Sequence, residues 1–329
     1  MFMPKRRALM EYIKKTISKM IDARLFSGVV EFLLLFIMNA ALDKNFFTPN
    51  TIYGNLSVMT PIIIATIAQS IVILSGSIDL SVGGAISLIN CILATTLGDT
   101  AGSVAFGLTI SFLAMMGVSA LNGFLVGFLK LPSMVATFAV ATMLTGMSLL
   151  VLPVPGGYIP KWLPRFYSFQ IADVVPMTVF ILLAIGCLWL FVSRTKLGRY
   201  IYAVGGNENA TAASGINPKK IRMYAFLLSG VFIWIAAILV TGQTGSGDFR
   251  LGNPYMLTTI AAAIMGGVSL SGGAGRVLGA ALGGCVMIFV TNIIYFAGIA
   301  SFYQDMIRGL IVIIALFIAA IPSLKKRMA

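Results

Sequence analysis

The chain contains no histidine, only three cysteines and few charged residues of either sign. Cys91, Cys187 and Cys285 lie far apart in apolar segments, so neither a zinc site nor a Cys/His nucleophile pair is indicated. Their spacing does not suggest a disulfide framework, and we expect each cysteine to be a small buried side chain. The sequence also lacks GxxxxGK[ST], so any ATP dependence requires another subunit.

Apolar residues dominate the chain. Of 329 residues 59% are hydrophobic and 10% are charged, whereas a soluble domain has about 25% charged residues. At roughly 20 residues per crossing, this composition predicts an all-α, polytopic membrane protein with about ten transmembrane helices, some of them discontinuous. The predicted spans are 25–42, 55–74, 83–97, 103–128, 133–153, 173–193, 223–242, 255–271, 277–297 and 305–322.

The basic residues indicate the orientation of these spans. If the N-terminus is cytoplasmic, 18 of the 23 Lys and Arg residues fall at inner ends and four fall outside, which favours both termini in the cytoplasm. The net charge of +13 therefore reflects topology and does not indicate nucleic-acid binding. We expect a basic amphipathic segment at 1–24, a permease domain at 25–322 in the lipid bilayer, and a basic tail at 323–329.

The longest cytoplasmic segment, 194–222, contains signals for a short helix. Asn207 is a candidate N-cap, Glu208 suits a first helical turn, and Gly215 can end the helix in the left-handed conformation. The doubled glycine Gly205-Gly206 precedes these signals. The alternatives are a plain connector and a helix that contacts another protein, and the two capping signals favour the second.

Two glycine-rich segments interrupt apolar runs. In 73–88, Gly76, Gly83 and Gly84 allow a break, and Asp79 and Ser81 can cap the exposed amides. This segment is either a discontinuous helix or a tight cytoplasmic turn capped by Asp79. The segment 265–279 repeats its character, and such pairs indicate a transporter repeat. Its candidate residues are Gly266, Gly267, Ser269, Ser271, Gly272, Gly273 and Arg276.

Several polar residues lie inside the predicted spans. Asn90, Asn122 and Asn292 each suit an interhelical hydrogen bond, and with Asp79 and Ser81 they could also line a path for a neutral solute. Near the outer ends, 154–173 carries prolines and aromatic residues such as Trp162 and Tyr167. That segment is either an interfacial aromatic belt or a docking surface for an extracytoplasmic protein.

Three motifs, SGSIDLSVGG, TKLGRYIYAVGGNENATAASGI and MGGVSLSGGAGRVLGAALGG, occur in this order along the chain. Together they resemble the membrane subunits of bacterial ABC importers for ribose and related simple sugars. The resemblance implies an inner-membrane location, a second permease subunit and an extracytoplasmic sugar-binding protein. It also implies a cytoplasmic ATPase that carries ATP and Mg, with no cofactor on this chain. The helix 208–214, with Ala212 and Ala213, would then be the coupling helix that docks on the ATPase.

The chain departs from the family pattern at two places. Met256 and Thr258 stand where many relatives carry an acidic pair, and Thr291-Asn292-Ile293 replaces Asn-Asn-Gly. The sugar is therefore not fixed, and a nucleoside, a furanone-type signal or a branched-chain amino acid remains an alternative solute. A secondary transporter driven by ions would use Glu31, Asp79 and Asp305 as its intramembrane carboxylates. A membrane enzyme is disfavoured because no nucleophile and base pair or metal cluster is visible.

Overall fold

The computed structural model describes residues 23–171, 175–299, 303, 306, 307, 309 and 310. The first half contains α1 (Ala23–Leu42), α2 (Pro49–Leu74), α3 (Val82–Thr96), α4 (Ala101–Gly123) and α5 (Ser133–Val151). A π-helical segment, Phe124–Phe128, continues α4. The short helix α6 (Trp162–Ser168) and an antiparallel pair of strands, β1 (Gln170–Ile171) and β2 (Val175–Pro176), follow.

The second half contains α7 (Met177–Arg194), α8 (Lys196–Gly206), α9 (Glu208–Ala213), α10 (Pro218–Thr244), α11 (Asn253–Met265) and α12 (Val277–Phe296). Within the described residues, six helices are long and apolar enough to cross a membrane: α2, α4 with its π segment, α5, α7, α10 and α12. The apolar helices Gly28–Leu42 and Val82–Thr96 are shorter. Residues 1–22 of the predicted segment 1–24, the predicted tail 323–329 and most of the span 305–322, including Asp305, lie outside the described residues.

Helices α2 and α10 form the centre of the bundle. In the apolar window of α2, 83% of the residues are buried, whereas only 17% are buried in the corresponding window of α7. An apolar helix that is buried on all sides belongs to a protein core, and one that is apolar and exposed suits a lipid environment. Helices α2 and α10 pack against each other, and α4, α3 and α12 surround them.

Local signals explain most helix ends. The side chain of Thr48 accepts a hydrogen bond from Thr51 N and Pro49 occupies the first turn, so α2 begins six residues before the predicted position 55. Helix α11 ends at Met265 and not at 271, because Gly266 and Gly267 follow it and Gly267 adopts a φ of +88°.

Helix α8 and the position of Cys187 differ from what the sequence predicts. Helix α8 was not predicted; it is amphipathic and buries Gly198, Ile201 and Val204. Cys187 is exposed on α7 and is not a buried core residue, because α7 presents most of its surface outward from the bundle. Cys91 is buried, as expected.

The two ends of the bundle carry different charge. One end of the bundle, here called the basic end, contains the C-terminal end of α2 and the segment 194–222. Among the side chains that the structure describes, this end carries eight basic residues: Lys130, Arg194, Lys196, Arg199, Lys219, Lys220, Arg222 and Arg276. In the same part of the chain, the opposite end carries half as many: Lys44, Lys161, Arg165 and Arg250.

Candidate functional site

The three glycine-rich segments of the sequence meet at the basic end. The backbone N–H of Gly273 donates to the carbonyl oxygen of Leu74 at 3.0 Å. A Cβ added at Gly272 would lie 2.8 Å from Gly76 Cα and 2.9 Å from Gly205 O. We call this contact the glycine clasp and define it as Gly76, Gly205, Gly206, Gly272 and Gly273.

Space and backbone conformation both require glycine in the clasp. A Cβ at Gly205 would overlap the carbonyl oxygen of Leu74 and would lie 2.6 Å from Gly273 N. Gly76, Gly272 and Gly273 have φ values of +82°, +79° and +66°, where side chains with a Cβ are disfavoured. The clasp therefore joins α8 to the loops at both breaks through backbone contacts alone.

Helix α9 begins directly after the clasp. Its N-cap is Asn207, whose Oδ1 accepts from Ala210 N at 2.9 Å, and Gly215 follows its end with a φ of +79°. Both capping predictions are therefore confirmed. Ala212 and Ala213 are exposed, whereas Thr211 is 5% exposed and donates its hydroxyl to Asn207 O. The outward face of α9 is thus free of other described parts of the chain.

An ion pair joins α9 to the central helix α10. Arg222 Nη2 lies 2.6 Å from Glu208 Oε2, and the two side chains are 16% and 37% exposed. Arg222 lies one turn into α10, where the side chain of Asn217 accepts from the amides of Lys219 and Lys220. Glu208 lies in the first turn of its helix, as predicted, whereas its partner Arg222 was not predicted.

The segment between α2 and α3 folds back into the bundle. In the amide orientation that satisfies both groups, Gln69 Nε2 donates to the carbonyl oxygen of Asp79 at 3.0 Å and Gln69 Oε1 accepts from Asp79 N at 3.3 Å. Gln69 lies five residues before the end of α2, about 7.5 Å along the axis. Asp79 is 3% exposed, and the 15 residues of α3 extend about 22 Å, less than the ~30 Å of a hydrocarbon core. This geometry favours a discontinuous helix over a turn at the surface.

Asp79 stabilises this break together with two neighbours. Its Oδ1 accepts from Ser81 N at 2.8 Å and from Ser81 Oγ at 2.6 Å, and Asn122 Nδ2 donates to Ser81 Oγ at 2.7 Å. The expectation that Asp79 caps an exposed amide is met at Ser81 N. Ser81 occupies the N-cap position of α3, but its side chain makes no capping hydrogen bond because its hydroxyl is bound to Asp79.

Gly83 and Gly84 have a different role from the one predicted. Both lie inside α3, where they permit close contact with neighbouring chain segments and do not break the helix. A Cβ at Gly83 would lie 2.6 Å from Gly252 O, and one at Gly84 would lie 2.8 Å from Ala141 O. These glycines allow α3 to approach α5 and the segment before α11.

The second break, 266–276, is a compact loop. Ser269 N donates to Ala274 O at 2.9 Å, and Gly272 N donates to Ser269 O at 3.0 Å. Gly266 packs against the backbone of α12 at Gly279 and Ala280. The loop ends at Arg276, which is exposed and takes the N-cap position of α12, and Ser271 is also exposed.

Asn90 lies toward the other end and fixes the loop before α11. Its Nδ2 donates to Thr241 Oγ1 at 2.9 Å and to Ser246 O at 3.2 Å, and its Oδ1 accepts from Asp248 N at 2.8 Å. Beside it, hydrogen bonds from Arg250 hold the pKa of Asp248 below its usual value. Asn90 thus joins α3 to α10 and to the loop 245–252.

Asn292 lies in a third polar group. Its Nδ2 donates to Asn55 Oδ1 at 2.9 Å, between α12 and α2. Nearby is a cavity of about 190 Å³ between α2, α11 and α12, with mostly apolar walls. Its lining residues are Val58, Ile62, Pro254, Tyr255, Thr258, Met287, Ile288 and Thr291. The five residues predicted to line one path therefore form three separate hydrogen-bonded groups.

The long apolar helices define a polytopic helical membrane protein, and comparison with known proteins identifies its class as a permease. The family described as "Branched-chain amino acid transport system / permease component" matches residues 51–316, and the chain belongs to this family. The chain is 31% identical to the ribose import permease protein RbsC of Escherichia coli K12, over 88% of this chain and 92% of the relative.

Two further relatives extend the comparison. The probable ABC transporter permease protein YphD of Escherichia coli K12 is 34% identical, over 86% of this chain and 84% of its own length. The autoinducer 2 import system permease protein LsrC of Yersinia enterocolitica is 30% identical, over 87% of this chain and 80% of its own length. No solved structure matches the chain. The chain is accordingly a permease subunit of the ABC importer class in the bacterial inner membrane, and its role is translocation.

Proposed function

We propose that this permease translocates a small neutral sugar, of the ribose type, by alternating access driven by a separate ATPase. In this proposal the chain crosses the membrane about ten times with both termini in the cytoplasm, and the excess of basic residues at the basic end supports an inner location for that end. The relatives named for ribose import cover almost the whole chain, which supports this solute class.

In this proposal α9 is the coupling helix that docks on the ATPase. The observation that carries the proposal is the glycine clasp, because it connects the start of α9 to both interrupted segments of the bundle. Broken helices in transporters lie at binding sites and gates. A movement of α9 on ATP binding would therefore reach both breaks directly.

The proposed assembly has four kinds of component. A second permease subunit, identical or related, completes the membrane part, and a cytoplasmic ATPase with ATP and Mg drives it. A soluble sugar-binding protein delivers the solute at the end opposite the clasp. At that end Tyr158, Phe169 and Arg250 are exposed, and these side chains offer a mixed aromatic and charged surface to a protein partner.

The identity of the solute is the finer part of the proposal. A second relative is named for autoinducer 2 import, so a furanone-type signal is the nearest alternative to a sugar. Met256 and Thr258, which replace the acidic pair of many relatives, begin the helix that lines the cavity. Uptake of radiolabelled ribose in competition with other pentoses, hexoses, nucleosides, autoinducer 2 and branched-chain amino acids would separate these classes.

Purification from the native membrane in mild detergent, with mass spectrometry of the accompanying proteins, tests the assembly. An ATPase with a P-loop should co-purify with the chain in stoichiometric amount. Ala213→Arg places a long charged side chain on the exposed face of α9 and should abolish that recovery. Ala101→Arg is the matched control, because Ala101 is also an exposed alanine in a helix but lies at the opposite end of the bundle. Repeated recovery of the unaltered chain without an ATPase would contradict the proposal.

A further inference from the structure

Arg222 lies where α9, α10 and the first break meet. Besides its 2.6 Å contact with Glu208, its Nη2 is 4.0 Å from the position that a Cβ on Gly76 would occupy. Its Cβ is 3.6 Å from the corresponding position on Gly127, at the end of the π segment after α4. One side chain therefore contacts α9 and lies close to the first break and to the π segment that follows α4.

Helix α9 has few other attachments to the bundle. Thr211 is the buried residue of this helix, and Asn209, Ala210, Ala212 and Ala213 are exposed. Beyond α9, Ile216 packs against the core of the bundle. The ion pair with Arg222 is thus the charged link between a surface helix and the membrane part.

The helix that carries Arg222 is well placed to spread a displacement. Helix α10 extends for 27 residues from the basic end to the opposite end and packs against α2, α3 and α4. Its first turns are in close contact with α4: a Cβ at Gly127 would lie 2.8 Å from Lys219 O, and one at Gly123 would lie 3.0 Å from Met223 Cα. A rigid, closely packed helix moves as a unit.

The environment of Arg222 makes its partner necessary. The guanidinium is largely buried, and its Nε has no hydrogen-bond partner among the described residues. Removing the carboxylate would leave a buried charge uncompensated, which is strongly unfavourable. Movement of Glu208 away from the bundle is therefore opposed unless Arg222 and α10 follow.

We propose that Arg222 is a positioning residue that transmits the movement of α9 to α10 through its ion pair with Glu208. This inference rests on the proposed role of α9 as the coupling helix. The ion pair would transmit the movement of α9 by a second route, in addition to the glycine clasp. The clasp acts on the breaks at the basic end, whereas the ion pair acts on a helix that reaches the opposite end of the bundle.

The test measures whether α10 responds to nucleotide. Spin labels are attached at Phe180→Cys and Thr244→Cys, near the opposite end, in a chain whose native cysteines are replaced by serine. The complex with its co-purified ATPase is reconstituted in nanodiscs, and the distance between the labels is compared with ADP and with ATP and vanadate. We expect a shift in the unaltered chain, and Arg222→Met should lose most of it. Lys220→Met should keep the shift, because it removes an exposed positive charge two residues before Arg222 and leaves the ion pair intact.

Two further variants separate transmission from folding. The charge-exchanged pair Glu208→Arg with Arg222→Glu should restore the shift, and Arg222→Lys should retain it in part, because each keeps an attractive pair. A merely structural role would reduce the amount of folded complex without changing the shift in the complex that remains. If Arg222→Met does not assemble, the charge-exchanged pair decides the question.

Several results would overturn the inference. These are an equal shift in Arg222→Met and in the unaltered chain, no shift in the unaltered complex, or no restoration by the charge exchange. Failure of the proposed function would look different, because the unaltered chain would then recover no ATPase at all.

Discussion

Gly273 and Leu74 are joined by a backbone hydrogen bond of 3.0 Å, although 199 positions separate them in the sequence. Gly205 fills the space beside this bond, so closely that a single methyl group would overlap the Leu74 carbonyl. The bond depends on the absence of side chains around it, and this dependence can be measured.

Gly205→Ala should destabilise the protein. The added methyl group would force the clasp apart, and overpacking of this kind costs typically 1–3 kcal/mol. Gly146→Ala is the matched control, because Gly146 is an exposed helical glycine with no atom within 4 Å of an added Cβ. The control should be neutral or slightly stabilising, since alanine favours helices. Thermal unfolding in detergent compares the two, and equal melting temperatures would contradict the role assigned to the clasp.

Asn207→Ala should weaken α9. The substitution removes the acceptor for Ala210 N, and loss of an N-cap costs roughly 0.5–2 kcal/mol of helix stability. We expect less ATPase to co-purify with this variant, because a frayed α9 presents its docking face less often. Asn207→Ser should restore the cap and the recovery. Thr100→Ala removes the corresponding N-cap of α4 at the opposite end of the bundle, where the side chain accepts from Ser103 N, and should leave the recovery of ATPase unchanged.

Asp79→Asn should preserve transport. The amide oxygen still accepts from Ser81 N and Ser81 Oγ, so the break keeps its hydrogen bonds. Asp79→Leu leaves buried donors unpaired, at about 1–3 kcal/mol, and should lower the yield of folded protein and ribose uptake together. If Asp79 instead carried protons in an ion-coupled transporter, Asp79→Asn would abolish uptake, and a protonophore at constant ATP would do the same.

Asn90→Leu should release the loop 245–252. Three hydrogen bonds connect Asn90 to Thr241, Ser246 and Asp248, and the leucine replaces none of them. Arg250 in this loop is exposed, so we expect faster cleavage by trypsin added at that side of the membrane. Asn55→Leu, which breaks the separate pair with Asn292, should leave the cleavage rate unchanged.

Local signals in the sequence were sufficient for most of the secondary structure and for α9. Asn207, Gly215 and the glycine pairs act on their own neighbours in the chain, so their effect can be recognised without tertiary contacts. The same reasoning missed α8, although Leu197, Ile201 and Val204 recur at helical spacing, because the three glycines among its eleven residues lower its intrinsic helix propensity.

Side-chain partners could not be predicted in the same way. Asn90, Asn122 and Asn292 are alike in sequence context, yet they bind different elements because the helices that carry them face different directions. Gly83 and Gly84 look like a helix break in the sequence, but only the positions of Gly252 and Ala141 reveal that they are close contacts. The partner of Arg222 likewise depends on how α9 folds back.

The clasp has one mechanical consequence. A contact between side chains can absorb a small displacement by changing rotamers, but Gly205, Gly206, Gly272 and Gly273 have no rotamers to change. Their backbones must move together or separate. In the proposed mechanism, a shift at Gly206, directly before α9, would therefore either move the loops at both breaks with it or break the contacts of the clasp.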